Sequence, residues 1–212
     1  MDVIDYLSSQ SDLQDAAEQV SRHINLRKNI WAFTLWKGDT VNINPHSVTK
    51  DNEKLLLEWA ADIDNHSNKG ISPIKFEGND NVILLQGIKE SIDRDINASS
   101  TDLDWSSLGN DSTAESESQT DLTAEFSDSN YARKVFSTGG SRSRVNQTMK
   151  LGMLWDDTSF DATPRTIKEA GIHWHLSDAS KCHARVVSTD FILNAGDLFV
   201  VQINELQENG TL

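Results

Sequence analysis

Phe199-Val200-Val201-Gln202-Ile203-Asn204-Glu205-Leu206 has the period of a β-strand. Side chains alternate across a strand, so Phe199, Val201 and Ile203 share one face while Val200, Gln202 and Asn204 share the other. Working back from this stretch, short extended segments recur at 131–137, 146–155, 166–175 and 182–188. Turn-prone residues divide them: Gly139-Gly140, Asp156-Asp157, the run 161–164 ending in Pro164, Ser177-Asp178, and 194–197. Several strands in a short span, with no strong helical period between them, predict an antiparallel β-sandwich over 131–212.

The N-terminal part reads differently, as a mixed α/β module over 1–92, which makes the expected fold class α+β. Leu13, Ala17, Val20 and Ile24 recur at helical spacing, and Ser11 with Gln14 has the form of a capping box, so a helix is expected near 12–26. The apolar run 31–36, the turn residues Lys37-Gly38-Asp39 and the β-prone 40–43 suggest a hairpin ended by Pro45. A second helix is expected over about 51–63, burying Leu55, Leu56, Trp59 and Ile63. Residues 82–85 suit a buried strand, yet Leu85, Ile88 and Ile92 also match a helix.

Between the two lies 93–130, where Arg94 is the one base among 10 acids, against 9 bases and 9 acids in 131–212. After Ile96 its large apolar side chains are few: Leu103, Trp105, Leu108, Leu122 and Phe126. So little burial offsets chain entropy poorly, and the segment reads as an acidic linker, or as an arm docking through Trp105 and Leu108.

The whole chain has 212 residues and a formal charge of -14. That balance repels phosphate backbones, so no nucleic-acid partner is expected. The sequence holds no long uncharged apolar run, and its first residues, Met1-Asp2-Val3-Ile4-Asp5, lack the basic and apolar regions of a signal peptide, so no membrane association is expected. The single cysteine, Cys182, excludes an internal disulfide and any multi-cysteine zinc site.

The C-terminal segments carry a resemblance. The order Ala132-Arg133-Lys134-Val135-Phe136, then the run 148–155, then Ile167-Lys168-Glu169-Ala170-Gly171-Ile172-His173-Trp174, then His183-Ala184-Arg185-Val186-Val187, then Ala195-Gly196-Asp197-Leu198-Phe199-Val200-Val201, resembles a domain of tailed-virus structural proteins of the tail fibre or collar type. It covers 131–206 and nothing earlier. The polar His173 and His175 and the charged insert 156–161 depart from the usual pattern. The resemblance implies a non-enzymatic virion protein of a bacterial or archaeal virus, made in the host cytoplasm and built into a fibre, collar or neck. Its partners would be copies of itself and other virion proteins, with a host surface receptor as a further possibility. A capsid decoration protein and a receptor- or glycan-binding module at a fibre tip are the alternatives.

In an extended 166–175 segment, Ala170, Ile172 and Trp174 share one face, and Glu169, Gly171, His173 and His175 the other. Gly171 then leaves a gap for a neighbouring group, and Glu169 lies within reach of Arg185 or Arg133, a pairing that would fix the sheet register. These residues, with Trp174 and Trp105, are the expected structural and assembly positions. No cofactor is expected. The sharpest chemical alternative is a three-imidazole metal site from His173, His175 and His183, which depends on strand register. There is no nucleophile elbow or phosphate loop, and Cys182 beside His183 carries little weight because adjacent strand residues face opposite ways. Asp156, Asp157 and Asp161 miss calcium-loop spacing. The basic Ser141-Arg142-Ser143-Arg144 reads as a solvated turn or a contact for an acidic partner. Trp31, Trp36, Trp59, Trp155 and Trp174 fall in periodic segments that suggest core packing rather than sugar stacking. Trp105 alone lacks that explanation.

Overall fold

The structure is a computed structural model. It describes residues 27–61, 73, 75–80, 82–84, 87, 103–116, 118–128, 131–136, 140–145, 148–156, 164–176 and 182–207. The helix expected near 12–26 lies outside the described residues.

In chain order the elements are β1 (Arg27–Lys37), helix α1 (Lys50–Ala61), β2 (Lys75–Asp80), β3 (Val82–Ile83), β4 (Trp105–Gly109), β5 (Lys134–Val135), β6 (Gly140–Val145), β7 (Thr148–Trp155), β8 (Arg165–His173), β9 (Cys182–Leu193) and β10 (Asp197–Gln207). Among the described residues the strands form two five-stranded sheets, β2-β1-β10-β7-β6 and β3-β9-β8-β4-β5, with antiparallel pairings. Their inward side chains merge in one cluster. Trp31, Phe33 and Leu35 of β1, Leu151, Met153 and Trp155 of β7, and Phe199, Val201 and Ile203 of β10 come from the first sheet. Leu108, Ile167, Ala170, Ile172, Ala184, Val186, Phe191 and Leu193 come from the second. The alternation expected for β10 holds, including Gln202 on the opposite face.

That opposite face is covered. Helix α1 crosses β10, β7, β6 and β1, and Leu56, Leu57 and Ala60 pack with Trp36, Leu154, Leu198 and Val200. Thr49 starts the helix by accepting a hydrogen bond on its hydroxyl from the Asn52 amide at 3.2 Å. Gln202 donates its side-chain amide to the Leu57 carbonyl at 2.6 Å, tying strand to helix. The buried stripe is rotated from the expected one, since Leu55 is 36% exposed. Ile63 lies outside the described residues.

Three further expectations are corrected. The second arm of a hairpin after β1 does not form: 40–43 make turns, with the Ile43 amide bonded to the Gly38 carbonyl at 2.9 Å. Both edges of β1 are already occupied by β10 and β2, so Val41 and Ile43 instead tuck under α1. The basic 141–144 segment is no turn but part of edge strand β6, paired with β7. The partition into 1–92, 93–130 and 131–212 does not follow the sheets either. β1 and β2 extend the sheet of β6, β7 and β10, while β3 and β4 extend that of β5, β8 and β9. A central strand has two hydrogen-bonding edges to satisfy, and here distant segments supply the partners. Within 82–85, Val82 and Ile83 form the short strand β3, with Leu84 buried behind it, while Leu85, Ile88 and Ile92, which carried the helical alternative, lie outside the described residues.

Candidate functional site

The outer face of the second sheet is polar in composition yet buried. Glu169, Gly171 and His173 of β8 point to it, as the alternation predicts, and Arg185 of β9 lies across from Gly171. The acidic segment folds over them. It contributes β4 to the sheet, and its 110–128 stretch then closes back, with the Phe126 amide bonded to the Leu108 carbonyl at 3.0 Å. The reading of 93–130 as a solvated linker is therefore corrected for its described part. Leu108 is fully buried and Leu103 and Leu122 nearly so.

Charge explains why this arm lies down. Four arginines from the C-terminal strands and turns meet acids of the arm: Arg133 with Asp121 and Glu125, Arg142 with Asp104, Arg165 with Asp128, and Arg185 with Asp111. The innermost link is Arg185 Nε to Glu169 Oε2 at 2.6 Å, with both side chains fully buried. Glu169 also accepts hydrogen bonds from the amides of Ala124 at 2.7 Å and Thr123 at 3.1 Å. Arg185 in turn donates to the Thr113 carbonyl at 3.0 Å and Gln119 Oε1 at 3.2 Å. One buried pair thus satisfies backbone groups at two separate places in the arm, near 113 and near 123–124, and shares its charge over enough partners to tolerate burial.

Gly171 is the matching recess. A Cβ built there would lie 3.0 Å from Ser107 Oγ and 2.9 Å from His173 Nε2, and closer still to a methyl of Leu122. The gap expected beside Glu169 is therefore filled by Leu122 of the same chain. Of the two partners expected for Glu169, Arg185 takes it. Arg133 instead donates to both oxygens of Asp121 at 3.0 Å, to Glu125 at 2.7 and 2.8 Å, and to the His175 carbonyl at 2.8 Å. Trp174 is buried edge-on against His183, with ring centroids 5.5 Å apart. Trp105 is half-buried and opens β4, opposite Val135 on one side and His173 on the other.

The three-imidazole site does not form, and a β-bulge is the reason. Ile172 pairs with Ala184 but His173 pairs with Cys182, so His183 is an extra residue between two pairs. The bulge turns His183 to Trp174, leaves His175 exposed beyond the strand, and brings Cys182 beside His173. Asp121 completes a group with them: one ligand atom from each lies within 4.8 Å of the others. His173 Nδ1 is 3.5 Å from Asp121 Oδ1, and its Nε2 is 2.5 Å from Ser107 Oγ. Burial, with the Arg133 guanidinium adding to it, holds the His173 pKa well below the ordinary imidazole value. Burial pushes the Cys182 thiol up. It also raises the Asp121 carboxyl to about 6, against the pull of Arg133.

The sequence reading missed Asp121, Glu125, Asp111 and Ser107, and set Cys182 aside. One signal was present: ten acids beside a segment carrying its own arginines. Comparison with protein-family models, curated proteins and solved structures finds no match.

Proposed function

We propose that this is a non-enzymatic structural protein of a tailed virus, a β-sandwich subunit of a fibre, collar or neck that assembles with copies of itself. One observation supports the reading above others: the residues that carry the resemblance are spent on the framework. Glu169 and Arg185 latch the arm, and Gly171 receives Leu122. In the turn into β10, Gly196 takes a positive φ of 86°, and the Asp197 carboxylate accepts the Asn194 amide at 2.8 Å. A particle component must hold its shape under load from its neighbours, and a clamped two-sheet body serves that need. The large aromatics support this reading over a glycan-binding tip: Trp31, Trp36 and Trp155 are fully buried, where no sugar ring can stack.

The test is the mass of the full-length protein by light scattering across a dilution series. A discrete multimer that persists on dilution is expected. A monomer at all concentrations overturns self-assembly and moves the reading to a partner-dependent decoration protein.

A further inference from the structure

We propose that Asp121 Oδ1, His173 Nδ1 and Cys182 Sγ are three ligands of a buried divalent metal site, with zinc the ion that suits this mixed oxygen, nitrogen and sulfur set. The inference stands apart from any role in a virion.

Four observations converge on it. First, one ligand atom from each of Asp121, His173 and Cys182 lies within 4.8 Å of the others. Tetrahedral zinc with bonds of roughly 2.0–2.3 Å places its ligand atoms about 3.3–3.8 Å apart. The His173–Asp121 separation of 3.5 Å already falls in that interval, and modest side-chain movement brings the sulfur in.

Second, His173 is fully buried, and its Nδ1 has no hydrogen-bond partner. A buried ring nitrogen left without a partner is costly. This one lies 3.5 Å from Asp121 Oδ1, and an ion held by both would give it a partner.

Third, the surrounding groups are those that orient metal ligands. Ser107 Oγ holds His173 Nε2 at 2.5 Å. With Nε2 carrying the proton and donating it to that oxygen, the Nδ1 lone pair is free to coordinate. Arg133 grips both oxygens of Asp121 at 3.0 Å. Outer partners that fix a histidine tautomer and a carboxylate orientation are the usual support of a metal centre.

Fourth, the charges balance. Asp121, Glu125 and a Cys182 thiolate carry three negative charges, matched by the Arg133 guanidinium and a dication. Binding requires the thiol to ionise: the Sγ–metal bond forms as the S–H bond breaks, and the proton leaves to solvent. Three protein donors leave one tetrahedral position for a further ligand.

The bulge at His183 builds the site, because it alone sets Cys182 on the same face as His173. The arm closes it, because Asp121 is the only one of the three ligands outside the sheet.

The experiment uses the full-length chain, stripped with chelator, dialysed against zinc and analysed for metal, then titrated with Co²⁺. One equivalent of metal per chain is expected, with a near-ultraviolet thiolate-to-cobalt band. Since Cys182 is the one cysteine in the sequence, any such band reports that sulfur. It should vanish in Cys182→Ser. Ser107→Ala should retain the band but weaken affinity about 10- to 100-fold. Sub-stoichiometric metal, or cobalt bound without the thiolate band, overturns the proposal. So does full affinity in His173→Gln. The wild-type spectrum needs no variant to fold, and metal content is read whatever the oligomeric state, so failure here is separate from failure of the assembly reading.

Discussion

Gly171 shows how much a single position can decide. It sits where Leu122, Ser107 and His173 converge, so a methyl group there has no volume to occupy. Gly171→Ala should lower the unfolding free energy by about 1–3 kcal/mol, the usual cost of overpacking, measured by urea denaturation. Adding Leu122→Ala should recover part of the loss, a coupling that a double-mutant cycle reads directly. Glu169 is decisive through charge. Glu169→Gln leaves the buried Arg185 with only the more distant, partly exposed Asp111 as counter-charge and should cost about 3–5 kcal/mol. Removing both charges with Glu169→Met and Arg185→Met should cost less than the sum of the single changes. At this scale the sequence was readable where period two sufficed: the faces of β8 and β10 follow alternation. It was not readable at the Cys182–His173 pair, because one extra residue in β9 reverses the parity on which alternation depends.

At the scale of elements, strands with a strong pattern were legible and their neighbours were not. The strand expected at 198–206 is present as Asp197–Gln207, and the helix expected near 51–63 is present over Lys50–Ala61, where that stretch of described residues ends. The hairpin after β1 fails because a turn signal is local, whereas the occupation of both edges of β1 is settled by strands elsewhere in the chain. Helix α1 kept its span but not its face. Trp36, Leu154 and Val200 on the sheet, which a helical wheel cannot include, select Leu56, Leu57 and Ala60. Leu56 is fully buried, so Leu56→Ala should destabilise by about 2–5 kcal/mol. Leu55→Ala, at the exposed position, should change stability by less than about 1 kcal/mol in the same measurement. The acidic arm was the largest misreading among the elements. Its polarity suggested solvation, yet its acids find arginines on strands and turns that lie far away in sequence.

At the scale of the whole molecule, the expected boundaries disappear into shared sheets. β1 pairs with β10 along its full length, from Arg27 opposite Gln207 to Lys37 opposite Asp197. A fragment of 131–212 would therefore lack strands from both sheets and the cover on the outer face of the second. Such a fragment should show no cooperative thermal transition, by circular dichroism or calorimetry, whereas the full chain should show one. Assembly is thus to be tested on the intact protein.

The same pairing has a consequence during synthesis. β1 leaves the ribosome early, but its central partner, β10, begins 160 positions after Lys37. At about 5–20 residues per second, one edge of an apolar, aromatic strand waits roughly 10–30 s for its mate. Neighbouring nascent chains on one message would offer each other the same unfinished edge, so slowing translation before β10 should raise the fraction lost to aggregates.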